Sequence, residues 1–131
     1  GADAFLLSND EQNMEQAAST FDLIIDTVPV HHDLTPYVGL LKVDGTLTLV
    51  GQVGPIAELN TVPLVMGRRR IAASLIGGIA ETQEMLDFCA RFNIVPEVEM
   101  ITMEEINEAF ERLERADVHY RFVIDMQKSS F

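Results

Sequence analysis

Three histidines, one cysteine and a scatter of carboxylates are the side chains of this 131-residue chain best suited to hold a metal or activate a nucleophile. A catalytic zinc ion takes three protein ligands from cysteine, histidine or carboxylate and keeps a fourth position open. His31 and His32 are adjacent, a poor geometry for gripping one ion, and read as a turn ahead of a helix. His119 stands in a short connection with no obvious partner. Cys89 falls on the apolar stripe of a helix and reads as core packing rather than as a nucleophile. These residues predict no metal centre. Ser74 ends an apolar run, but no Gly-x-Ser-x-Gly elbow surrounds it. Asp22, Asp26 and Asp44 are plausible acids, and nothing in the sequence pairs two of them. A Gly-x-Gly-x-x-Gly pyrophosphate fingerprint between strand and helix is missing.

The ends of the apolar runs say more. In open parallel sheets, ligands bind beyond the carboxyl ends of the strands. Thr27-Val28, Val50-Gly51 and the segment from Ser74 to Ile76 all fall at such ends. Together they form a candidate rim for a flat ligand.

The elements that must carry this rim alternate short apolar runs with amphipathic segments, the pattern of strands joined by crossover helices. Ala4–Leu7 is a first short run. Ser8, Asn9 and Asp10 then offer caps for a helix over 11–18, with Met14, Ala17 and Ala18 inward. The run 21–28 (FDLIIDTV) predicts a strand buried on both faces. A helix opens near Thr35 and Pro36, with Leu34, Tyr37, Val38 and Leu41 on one face, and Asp44-Gly45 breaks it. Strands are expected over 46–51 and 70–76, with a short helix over 60–66 interrupted by Pro63. Helix 82–92 places Met85, Phe88, Cys89 and Phe92 on one side. Thr102 and Glu105 have the spacing of a capping box in which each side chain satisfies a backbone N–H. The helix it starts buries Ile106, Ala109, Phe110 and Leu113, with an acidic, solvated opposite face, and 120–126 is a final strand.

Twenty-one acidic against nine basic residues give a formal charge of -12, which repels phosphate backbones. The one basic cluster, Arg68-Arg69-Arg70, reads as a solvated approach to a strand, so nucleic-acid binding is not expected. No run of about 18 apolar residues implies a membrane span. A single cysteine permits no intrachain disulfide, which fits a reducing compartment such as the cytoplasm. The opening Gly1-Ala2-Asp3-Ala4 does not resemble a translation start, and the chain reads as the interior of a longer protein.

At the rim residues the sequence resembles the zinc-dependent medium-chain alcohol dehydrogenases of the cinnamyl-alcohol-dehydrogenase type. The matching blocks are FDLIIDTV at 21–28, LKVDGT at 41–46, GRRRIAAS at 67–74, IGGIAETQEMLDF at 76–88, INEA at 106–109 and YRFVID at 120–125. They run in order over essentially the whole chain. The resemblance implies a partial Rossmann-like α/β domain, beginning at the family's third strand and lacking the first two. Residues 1–96 would belong to that cofactor domain, and 97–131 would return to pack on a catalytic domain. The family transfers hydride between NADP(H) and small aldehydes or alcohols at a catalytic zinc. By the same resemblance Thr27 and Val28 line the adenosine side, and Val50 and Gly51 approach the nicotinamide ribose. Ser74 and Ile76 meet the carboxamide, with Asn107 and Arg121 toward the phosphates and ribose. Zinc ligands, glycine fingerprint and the residues that read the 2′-phosphate would all precede Gly1, leaving this chain inactive alone. The segment 52–60 matches only loosely and lies near the substrate side.

Loss of the first two strands has a physical consequence. Leu23–Thr27 becomes a bare hydrophobic edge, a template for pairing. The expected compensations are Ala4–Leu7 re-pairing beside it, swapping, or a homodimer through the Arg70–Ile76 edge. An alternative reading is a non-catalytic Rossmann remnant that binds nucleotide or serves as an assembly module.

Overall fold

The computed structural model describes residues 2–56 and 58–129. The chain divides into two compact units, 1–76 and 77–131. In the first, three parallel strands, β1 (Phe21–Asp26), β2 (Leu41–Leu49) and β3 (Arg70–Ala73), lie in the order β1-β2-β3. Helices α1 (Glu11–Gln16), α2 (Thr35–Leu40) and α3 (Val62–Gly67) connect or precede them. Parallel neighbours need crossover connections, which is why each strand here is preceded by a helix rather than a tight turn. The fold is α/β and matches the expected partial Rossmann-like sheet.

The first unit is held by Leu34, Val38, Leu41 and Leu47, all fully buried, with Ile24, Tyr37, Leu49, Leu59, Leu64 and Ile71 packed around them. Each such side chain withdrawn from water contributes about 1.5–3 kcal/mol. Pro36 sits in the first turn of α2, where a missing N–H costs nothing. Leu41 is where sequence and structure part. Placed on the helix face by its spacing, it is instead the first residue of β2, turning to φ -71°, ψ 140° directly after Leu40. The expected break at Asp44-Gly45 is a bulge inside that strand. Phe21 pairs with Leu41 but Leu23 pairs with Thr46, and Asp44 absorbs the extra length at φ 65°. Arg68 donates to both Asp44 oxygens, at 2.9 and 2.5 Å, and Arg70 donates to the Asp44 carbonyl at 3.0 Å. Arg68 and Arg70, the two exposed members of the basic cluster, thus meet at the bulge, while half-buried Arg69 donates to the Ser19 hydroxyl at 3.0 Å.

Other boundaries shift for local reasons. Ala4–Leu7 forms no strand: no neighbour pairs with it, and Phe5 is 87% exposed. The re-pairing expected beside β1 does not occur, and the outer edge of β1 stays open, with Leu23 and Ile25 exposed. Asp10 caps α1 by accepting the Asn13 N–H at 3.1 Å, but the helix stops at Gln16, Met14 is only half-buried and Ala18 is exposed. Pro63 lies in the first turn of α3 and does not interrupt it. β3 ends at Ala73, three residues before the predicted end of that strand at Ile76.

The second unit contains α4 (Ile79–Phe92), β4 (Glu99–Ile101), a 3₁₀ turn (Met103–Glu105), α5 (Ile106–Glu114) and β5 (Phe122–Ile124). β4 and β5 pair in parallel, Glu99 with Phe122 and Ile101 with Ile124. α4 begins ahead of Thr82 because the Glu81 carboxylate accepts the Gly78 N–H at 2.7 Å. Its apolar stripe is not buried as expected: Met85, Phe88 and Phe92 are exposed, and Cys89 is half-buried with Sγ 3.7 Å from the Met85 sulfur. Of the four α5 residues expected inward, Ala109 is buried, Ile106 is half-buried, and Phe110 and Leu113 are exposed. Half of the capping box forms. Glu105 accepts the Thr102 N–H at 2.6 Å, while the Thr102 hydroxyl donates to the same carboxylate oxygen at 3.0 Å instead of accepting from the backbone.

Candidate functional site

The carboxyl ends of β1, β2 and β3 converge. The Asp26 carbonyl accepts the Val50 and Gly51 N–H groups at 2.9 and 3.2 Å, and the Leu49 carbonyl accepts the Ser74 N–H at 3.1 Å. A Cβ on Gly51 would stand 2.5 Å from the Val28 carbonyl oxygen and 3.0 Å from the Thr27 carbonyl carbon. Only glycine lets β2 end this close to the loop leaving β1. Thr27, Val28, Val50, Gly51 and Ser74 therefore lie along one end of one sheet. Between the ends of β2 and β3 opens a cleft of about 600 Å³, walled by Val50, Gly51, Gln52, Val53, Ser74 and Leu75. A smaller hollow of about 170 Å³ adjoins Thr27 and Val28.

The remaining predicted residues are placed differently. Ile76 closes the first unit and is 90% exposed. Asn107, on α5, and Arg121, just before β5, are exposed residues of the second unit. The Arg121 carbonyl accepts the Glu99 N–H at 3.0 Å, so its backbone serves the small sheet.

Two residues left unpaired by sequence reasoning meet directly. Asp26, only 9% exposed, has one carboxylate oxygen 2.9 Å from His32 Nε2, and its other accepts the Val28 N–H at 2.9 Å. His32 Nδ1 lies 2.8 Å from the Val30 carbonyl, and the ring stands edge-on to Tyr37 at 5.8 Å. The single signal was an Asp at the end of an apolar run with a His six positions on, beyond the strand's end and at a spacing no helical period selects. Near this pair, a cleft of about 720 Å³ is walled by His31, His32, Asp33, Thr35, Glu58 and Asn60. The Thr35 backbone N–H at 2.8 Å, followed by the Thr35 hydroxyl, holds the Asp33 carboxyl below the ordinary aspartate range.

Among the described residues no group of three or more histidine, cysteine or carboxylate side chains is placed to hold a metal ion. No helix among them is long and apolar enough to cross a membrane.

The second unit's polar centre is structural. Glu99 accepts the His119 N–H at 2.8 Å and an Arg112 N–H at 2.7 Å, and these bonds, in that order, lower its carboxyl below the usual range. Arg112 also bonds Asp117 at 3.2 Å and lies 4.8 Å from the Phe122 ring centre. One guanidinium thus ties β4, α5 and the approach to β5.

The model of the family described as zinc-binding dehydrogenase matches residues 1–91. A probable mannitol dehydrogenase of Medicago sativa is 54% identical over 129 residues, covering 98% of this chain and 36% of the relative. The structure of a cinnamyl alcohol dehydrogenase from Sorghum bicolor superposes with a TM-score of 0.89 at 42% identity, over 99% of this chain and 37% of that one. The CAD enzyme of Helicobacter pylori, solved in complex with NADP(H), gives a TM-score of 0.73 at 41% identity, over 89% and 35% respectively. The chain therefore spans about a third of the length of the proteins it resembles.

Proposed function

The chain belongs to the zinc-binding dehydrogenase family, and on that footing we propose that it is the cofactor-binding part of an NADP(H)-dependent zinc alcohol dehydrogenase interconverting small aldehydes and alcohols. The observation that carries this reading is the shared rim: five predicted contact residues, each just beyond the end of one of three strands, lie along one end of one sheet. A cleft of about 600 Å³ there is within the range of small-molecule sites. When bound, the nicotinamide cofactor supplies or accepts the hydride. The chain's own part is to hold it: Thr27 and Val28 on the adenosine side, Val50 and Gly51 at the nicotinamide ribose, Ser74 and Ile76 at the carboxamide.

Zinc does not fit the described side chains, because no three ligands among them come together. We assign it to the remainder of a longer protein, and with it the polarisation of the substrate carbonyl. The segment 97–131 would then return onto the catalytic domain, and the exposed edge at β3 would join two copies in a homodimer. The net charge of -12 argues against nucleic-acid partners, the lack of a long apolar run against a membrane span, and the single cysteine suits a reducing compartment such as the cytoplasm.

A second reading rests on the open edge of β1, where Leu23 and Ile25 are 54% and 59% exposed. A free chain with that edge would act as a nucleotide-binding remnant or assembly module, its sheet completed by a partner strand.

Titration of the purified chain with NADPH, followed by cofactor fluorescence, tests the first reading. Saturable binding is expected, with NADH binding about as well, since the 2′-phosphate is read outside this chain. Absence of binding contradicts it. Aldehyde reduction with added zinc is expected to be undetectable, and turnover would overturn the assignment of zinc elsewhere.

A further inference from the structure

Asp26 and His32 take no part in the reading above, yet they sit beneath its rim. Asp26 bonds both the adenosine side of the rim and the nicotinamide-ribose side. Its carbonyl takes the Val50 and Gly51 N–H groups, one carboxylate oxygen takes the Val28 N–H, and the other meets His32 Nε2. His32 in turn holds Val30 through Nδ1 and rests against Tyr37 of α2. A carbonyl oxygen only accepts, so Nδ1 carries a proton. Ion-paired surface residues elsewhere in this unit are far more open: the Asp44 side chain is 47% exposed, against 8% for Asp26. An acid this buried, with both oxygens partnered, is costly to leave unpaired.

We propose that Asp26 and His32 form a latch that presets the rim for the cofactor: positioning residues that act through Val28, Val50 and Gly51. The cofactor half of this proposal rests on the reading given under the proposed function. The latch itself concerns only the shape of the chain and is measurable without ligand.

Amide hydrogen exchange of the full 131-residue chain decides it. In H32L, exchange at Val28, Val50 and Gly51 should rise about tenfold or more, while Ile24 and Leu47 in the body of the sheet stay protected. H32Q, whose side-chain amide reaches Asp26, should restore rim protection. H32N, which reaches the Val30 carbonyl but not Asp26, should not, and it serves as the disruptive variant where H32L fails to fold. Unchanged exchange at Val28 in H32L or H32N would overturn the latch. An equal rise at Ile24, Leu47 and the rim would overturn it too, since that is general destabilisation. NADPH affinity should fall in H32L or H32N and recover in H32Q. If the unaltered chain binds no NADPH, the cofactor reading and the latch's role toward it both fall, while the exchange pattern still decides whether the pair holds the rim.

Discussion

The two units of this chain solve the problem of holding a small parallel sheet in opposite ways. Residues 1–76 fold around Leu34, Val38, Leu41 and Leu47, from which water is excluded completely. Residues 77–131 bury a single hydrophobic residue, Ala109, among those described. Beside the backbone ladder of β4 and β5, that unit is held by charge-assisted hydrogen bonds centred on Arg112 and Glu99, with the Glu105 cap. Packing tolerates acid and salt but not lost volume. A polar network has the reverse sensitivities.

That contrast fixes the order of expected effects. Leu47→Ala opens a cavity in the only closed core among the described residues and should cost about 2–5 kcal/mol, read by denaturant unfolding. Phe110→Ala in the second unit removes a larger side chain, but one already 62% exposed. It should cost about 0.5 kcal/mol or less. A comparable loss in both variants would break the comparison.

Gly51→Ala comes next. Its Cβ would meet Val28 backbone at 2.5 Å rather than a yielding side chain. A cost of about 1–3 kcal/mol is expected, together with displacement of the Val28 and Val50 amide resonances. An unshifted spectrum would mean that the strand ends are not in contact.

Acid should then act on the second unit through Glu99. Its native carboxyl titrates below the ordinary glutamate value of 4.5, chiefly because of the His119 N–H bond and then Arg112. The stability it supplies is complete above that value and is lost as pH falls through the lowered native one. Glu99→Gln should therefore flatten the acid limb of unfolding for the β4–β5 resonances and leave those of β1–β3 alone. Smallest of all is Arg68→Ala. The Arg68–Asp44 pair is exposed, and salt should erase what little it contributes. A large effect at high salt would instead show that the bulge depends on it.

Apolar runs and the ends they imply were legible: β1, β3, α4, α5 and the rim residues follow from pattern alone. The failures have physical causes. Ala4–Leu7 has the composition of a strand, but a strand exists only when another backbone pairs with it. Leu41 satisfies a helical period and a strand period at once, and the chain passes from α2 to β2 with no loop residue to mark the change. β4 was missed although 97–100 (EVEM) alternates charged and apolar residues, a short period-two signal. The Asp26–His32 contact had no sequence signature, since it depends on how the loop after β1 folds back. Arg121 and Asn107 came from family resemblance, not from any pattern in the chain.

The central claim is that a nicotinamide cofactor lies along the ends of β1, β2 and β3. It is tested most directly by following the backbone amides of the ¹⁵N-labelled chain during titration with NADP⁺. The account predicts saturating shifts concentrated at Thr27, Val28, Val50, Gly51 and Ser74, with β4 and β5 still. Shifts absent from those five, or centred instead on the second unit, would contradict it.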